Sequence, residues 1–193
     1  MKLTTHFSSL MLLLLTHAAF AATPVSLRVQ TGGGDSHEDI KGSNGFTHTQ
    51  KKNVEATVSN MGQQPMEGLM VKFYAFGRSH TSGKTVIFHT AENKLALAPG
   101  KSAMSPFEVT ATYTPEHFVS SRSGGSGKKG RATTKKVHGE GIRLIGYGVQ
   151  VMQGGTVLAE DFQPRGLKDD LASTPTAAKE TPKTKSKPKS ANS

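Results

Sequence analysis

The chain has 193 residues, 24 Lys+Arg against 14 Asp+Glu, a formal net charge of +10, 34% hydrophobic residues and no Cys. That length suits one domain with tails, and the composition is too polar for a protein with many membrane spans. Without Cys, disulfides, thiolate zinc sites, Cys nucleophiles and an acylated lipoprotein cysteine are all excluded.

Residues 1–21 read as a signal peptide. Lys2 gives a positive start, Leu10–Leu15 an apolar stretch too short for a permanent span, and Ala19-x-Ala21 a small-residue cleavage pattern. The mature chain is then expected to begin at Ala22 and to be exported, periplasmic or at the cell surface, with no transmembrane segment of its own.

Between residues 22 and 164 the pattern alternates with a period of two, the mark of half-buried antiparallel strands. Val25, Leu27 and Val29 come first; then Val54, Ala56 and Val58; then Leu69, Val71, Phe73 and Ala75; then Phe107, Val109, Ala111 and Tyr113. Shorter runs lie at Val86–His89, Lys94–Ala98 and Thr156–Phe162. Ile142–Met152 changes phase at Gly146, which predicts a bulge or kink there. Turns are expected at Asn60-Met61-Gly62, Gly77, Glu92-Asn93 and Pro99-Gly100, and Gly154-Gly155 reads as a two-residue hairpin. Helical periodicity is confined to a turn or two over Gly166–Ala172. The pattern predicts an all-β fold, an immunoglobulin-like antiparallel β-sandwich of about 7–9 strands.

The positive charge is segregated. Arg122, Lys128, Lys129, Arg131, Lys135 and Lys136 lie in one stretch without an acid, and residues 175–193 hold five Lys and one Glu. Both stretches lack core-forming side chains, so 122–136 reads as a disordered, mobile basic loop and 165–193 as a disordered Lys/Pro/Ser/Thr-rich tail. The six cations are the candidate polyanion-binding residues, for glycan, lipopolysaccharide or anionic lipid. With no aromatic among them, sequence-specific nucleic-acid binding is not expected.

Signs of chemistry are weak. Gly125-Ser126-Gly127-Lys128-Lys129-Gly130 fits G-x-G-x-x-G, but lacks the strand before and helix after that a dinucleotide site needs. Gly100-Lys101-Ser102 lacks the first glycine of a phosphate loop. Asp35-Ser36-His37-Glu38-Asp39 clusters oxygen ligands without the twelfth-position carboxylate of a calcium loop, and reads as a solvated acidic loop. His37, His48, His80, His89, His117 and His138 show no metal-ligand spacing; His89, within a strand, is the one expected to be half-buried. No catalytic, metal or cofactor residue is assigned.

Lys52-Asn53-Val54-Glu55-Ala56-Thr57-Val58-Ser59-Asn60-Met61-Gly62 resembles the "v-x-v-x-v-x-N-x-G" strand of bacterial CARDB-like domains, which are immunoglobulin-like modules of exported proteins. Leu69–Tyr74 and Leu97-Ala98-Pro99-Gly100-Lys101-Ser102 resemble their next strand and turn. The chain as a whole resembles small exported immunoglobulin-like proteins encoded with type IV pilus genes, and that resemblance implies a role in pilus assembly or cell-surface adhesion. It lacks the cleavage site and long apolar helix of a pilin. The expected function is a non-enzymatic interaction module with a protein partner in the cell envelope, self-association included. The alternatives are a polyanion-binding protein acting through loop and tail, and a periplasmic enzyme whose site the sequence does not reveal.

Overall fold

The computed structural model describes residues 24–122 and 132–173. The expected signal peptide, the middle of the basic stretch and residues 174–193 lie outside that range. The described chain forms nine strands and a short helix: β1 (Val25–Asp39), β2 (Phe46–Asn60), β3 (Met66–Ser79), β4 (Thr85–Leu97), β5 (Ser102–Thr114), β6 (His117–Arg122), β7 (Ala132–Val137), β8 (Glu140–Gln153), β9 (Thr156–Gln163) and α1 (Leu167–Ser173).

All pairings are antiparallel. One layer is β1-β2-β5, the other β4-β3-β8-β9. They face each other as an all-β sandwich. The connectivity follows the immunoglobulin order, with the fourth strand on the edge of the second layer and the β6–β7 ribbon inserted after the fifth. The layers are continuous at one corner: Glu140 and Gly141 of β8 pair with Thr114 and Tyr113 of β5 before β8 turns to pair with β3. Gly141 makes this possible, since it has φ +85° and a Cβ there would lie 2.3 Å from the Thr112 carbonyl oxygen.

The alternating runs supply the core. Val54, Ala56 and Val58 from β2 and Leu69, Val71, Phe73 and Ala75 from β3 are buried, and Val149 and Val151 of β8 complete the second wall. Phe73 and Phe107 stack across the gap between layers, ring centroids 5.1 Å apart and planes 13° from parallel. A second cluster of Phe76, Ile87, Phe162 and Leu167 seats α1 on the outside of the β4-β3-β8-β9 layer. The phase change in β8 is a bulge: Phe76 pairs with Gly146 and Gly77 with Leu144, leaving Ile145 without a partner. At Gly154-Gly155 both φ angles are positive and Gln153 pairs with Thr156, a two-residue hairpin.

The Asn60-x-Gly62 turn is a polar knot. Asn60 is fully buried; its Nδ2 donates to the carbonyl oxygens of Gln64 (2.8 Å) and Leu97 (3.1 Å), and its Oδ1 accepts from Gly62 N–H (2.9 Å). One amide thereby ties the end of β2 to the end of β4 in the opposite layer.

Several expected boundaries are corrected. Glu92-Asn93 is not a turn, because β4 runs through it: Asn93 donates to Ser105 Oγ (2.7 Å) and Glu92 pairs with Lys72 (3.0 Å). Gly77 lies inside β3, where a Cβ would sit 2.2 Å from Ile142. The acidic segment 35–39 is strand rather than loop, paired with β2 out to Asp39↔Phe46. The two ends of the 122–136 stretch are also strand, since Arg122 closes β6 and Ala132–Val137 form β7. The tail begins later than residue 165, since α1 packs Leu167 into the body.

Asn60→Ala leaves two carbonyls and one N–H without their partner, and should lower unfolding free energy by about 2–4 kcal/mol in urea denaturation. Asn60→Asp sets a carboxylate against two carbonyl oxygens in a dry site, which raises its folded pKa. Its stability deficit should therefore be largest at neutral pH and shrink as pH falls toward about 4.

Candidate interaction surfaces

Three features stand out on this frame. The first is the outer edge of β1. Among the described residues β1 pairs with β2 alone, and its last ten residues, Gln30–Asp39, are exposed. The edge carries neither Lys nor Pro, the residues that usually discourage strand addition. The other outer strands differ: β4 is interrupted by a register shift and carries Lys94, and β9 has eight residues and ends before Pro164. At Gly32 the missing side chain opens a groove of about 640 Å³ on the outer face, walled by Gln30, Glu55 and Pro106.

The second feature is the open end of the sandwich, opposite Asn60. The register keeps Asp35, Gln50, Lys52, His37 and His48 on the face that carries core residues farther along β1 and β2. Here the opposite layer stops short. A cleft of about 530 Å³ results, with Asp35, Gln50 and Lys52 on one wall and Ile145, Tyr147 and Pro164 on the other. Gln50 Oε1 accepts from Leu144 N–H (2.8 Å), bracing the two walls. Beyond the cleft, neighbouring strands stack rings. Tyr113 lies between His48 (centroids 4.7 Å, planes 7° apart) and His80 (4.9 Å, 5°), and Phe46 meets His48 edge-on at 5.2 Å.

The third feature is the ribbon. Phe118 N–H donates to Asn44 Oδ1 (3.0 Å), Asn44 N–H donates to the Phe118 carbonyl oxygen (3.3 Å), and Ser43 bridges Val119, so the β1–β2 turn anchors β6. Of the six candidate cations, Arg122 ends β6 and Lys135 and Lys136 lie on β7, while Lys128, Lys129 and Arg131 fall outside the described residues. Lys135 stands opposite Val119 and Lys136 opposite Phe118, so the two lysines project from opposite faces of the ribbon. Lys136 is also paired with Glu116 (2.9 Å). These two do not form a single patch.

The titratable groups shifted from their ordinary range are accounted for by local contacts. The Lys72–Glu92 hydrogen bond raises Lys72; burial raises Tyr74, and burial with the Asp161 carboxylate raises Tyr147. The Lys168–Glu160 hydrogen bond lowers Glu160 and raises Lys168, tying α1 to β9. Among the described residues no group of three His, Asp or Glu is placed to hold a metal ion, and no helix is long and apolar enough to cross a membrane. Sequence reasoning missed the ring stack, because its members come from three separate segments, β2, β5 and the residue after β3. It also misjudged the histidines: His89 is exposed, whereas His117 is buried against Gly45, its Nδ1 3.1 Å from the Pro115 carbonyl oxygen.

No family model matches the chain, and no curated protein matches it. Among solved structures it is similar to a Northeast Structural Genomics Consortium target, at 9% identity over 61% of this chain and 85% of that one, with a TM-score of 0.30. It is also similar to a protein from Akkermansia muciniphila, at 13% identity over 79% of this chain and 78% of that one, with a TM-score of 0.35. At these TM-scores neither likeness carries an argument about function.

The shared ring should matter more than its hydroxyl. Tyr113→Ala removes both stacked contacts and should cost about 2–3 kcal/mol, whereas Tyr113→Phe should cost under about 0.5 kcal/mol, both read by urea denaturation. Equal losses in the two variants would assign the stability to the hydroxyl instead.

Proposed function

We propose that the protein is an exported, non-enzymatic interaction module that accepts a strand from a partner in the cell envelope along β1. The observation that carries this reading is the edge itself: fifteen residues of strand, hydrogen-bonded on one side and without a described partner on the other. An added strand gains main-chain hydrogen bonds there. The signal-peptide pattern of residues 1–21 supports export. The likeness to CARDB-like modules supports an envelope setting. So does the likeness of the whole chain to a small immunoglobulin-like protein encoded with type IV pilus genes in a mucin-degrading verrucomicrobium. Pilus assembly or cell-surface adhesion is the process we assign on that basis.

A photoreactive residue at Ser36 on β1 should give a discrete crosslinked product in intact cells, and one at Lys94 on β4 should not. Mass spectrometry of the product then identifies the partner. Identical products from both positions, or none from Ser36, would overturn strand addition at β1.

A second reading, polyanion binding, is favoured by the exposed Lys135 and Lys136 on a ribbon paired separately from both layers. Because β7 is paired, the sharp test replaces charge and keeps the backbone. With Arg122, Lys128, Lys129, Arg131, Lys135 and Lys136 all changed to Gln, retention on a sulfated polysaccharide column should drop to background at about 0.15 M salt. Unchanged retention would exclude these residues as the binding surface.

A further inference from the structure

We propose that β1 takes the β1 of a second copy, running antiparallel about a twofold axis at Gly33, so that two sandwiches share one six-stranded sheet. This rests on the reading of β1 as a strand-accepting edge and names the partner.

The register follows from which face each charge occupies. In β1 the even-numbered residues lie on the outer face, as Arg28↔Thr57, Gln30↔Glu55 and Glu38↔Thr47 show, and the odd-numbered ones on the inner face, as Val29↔Ala56 and Asp35↔Gln50 show. Residues directly opposite in an antiparallel pair project from the same face. Across a seam between two β1 strands, Arg28, the strand's one cation, can therefore stand directly opposite Glu38 but not Asp35 or Asp39, which project from the other face. Only one register brings Arg28 and Glu38 together, and its centre is Gly33. The twofold then repeats the pair, giving two ion pairs per dimer, the self-complementary arrangement that an isologous contact requires.

The same register does three further things. It sets Gly32 against Gly34 and Gly33 against itself, so no side chains crowd either face of the seam at the axis. It sets Thr31 against Asp35, a hydroxyl beside a carboxylate. It also sets Gln30 against Ser36, an amide beside a hydroxyl. Arg28 and Glu38 make no ion pair among the described residues, so both are available to the seam. Side-chain-free strand at the middle and matched charge at the flanks is what a self-pairing edge needs. Gly33 is fixed for a separate reason as well: a Cβ there would lie 2.1 Å from the Lys51 carbonyl oxygen.

The test is a charge swap read by sedimentation velocity over about 1–300 μM, on the full chain expressed with its own leader and purified after export. The wild type should sediment as a dimer at the upper concentrations. Arg28→Glu and Glu38→Arg should each weaken the dimer at least about tenfold, because each turns two attractive pairs into two repulsive ones. The double variant R28E/E38R should regain most of the loss, with thermal midpoints of all variants within a few degrees of wild type. A wild type that is monomeric throughout, or a dimer indifferent to both single changes, overturns the proposal, as does a double variant no better than the singles. If the wild type is monomeric but Ser36 still crosslinks an envelope protein, strand addition stands and only the second copy is rejected. If neither is seen, both fall.

Discussion

The side-chain amide of Asn60 holds one end of this sandwich shut. It satisfies two carbonyl oxygens and one N–H from the β2–β3 turn and the end of β4 while excluded from water, and the Leu97 carbonyl it holds belongs to the opposite layer. The geometry is specific in a way that apolar contact is not, because only an amide offers two donors and an acceptor within that volume. Everything apolar is arranged behind it: Val58 and Ala56 along β2, Leu69 through Ala75 along β3, and the Phe73–Phe107 stack at mid-depth. At the far end no such knot exists. There β8 passes from one layer to the other at Gly141, and the walls diverge into a polar cleft.

This asymmetry explains how much of the molecule is legible in its sequence. Where two layers face each other, each strand must alternate, and the alternating runs of β2, β3 and β5 mark buried residues at every position but the half-buried Tyr113. The β8 bulge is legible for the same reason, since a change of phase in a covered strand has to be absorbed by an unpaired residue. Residues 31–39 and 46–53 were hidden because they carry no alternating apolar side chains. β1 pairs with β2, and β2 with β5, through the backbone, and backbone hydrogen bonds leave no trace in side-chain pattern. A glycine triplet followed by acids then reads as loop.

The other misreadings have the same origin. Glu92 and Asn93 look like turn residues only when their partners, Lys72 and Ser105, are out of sight; with them they are ordinary occupants of an outer strand. Gly77 marks a close approach of Ile142 and Phe88 rather than a reversal. The ribbon's threonines and lysines carry no apolar face, yet pairing with β6 and the Asn44 exchange with Phe118 order them. Candidate sites were harder still. The cations were conspicuous as a run, but a run is a property of the chain, whereas a patch is a property of the surface. The described lysines of β7 divide between two faces.

The edge and the ribbon share one frame, so strand addition and polyanion binding are compatible. The β1–β2 arm is at once the free edge, the inner wall of the cleft and, through Ser43 and Asn44, the anchor of the ribbon. A strand added along β1 extends toward the turn that holds the ribbon's base. Opposite faces of the ribbon carry Lys135 and Lys136, and Lys136 is paired with Glu116. If both proposals hold, edge and ribbon act on different dimensions of one assembly: the backbone sets how copies or partners pair, and long-range charge sets what surface they approach.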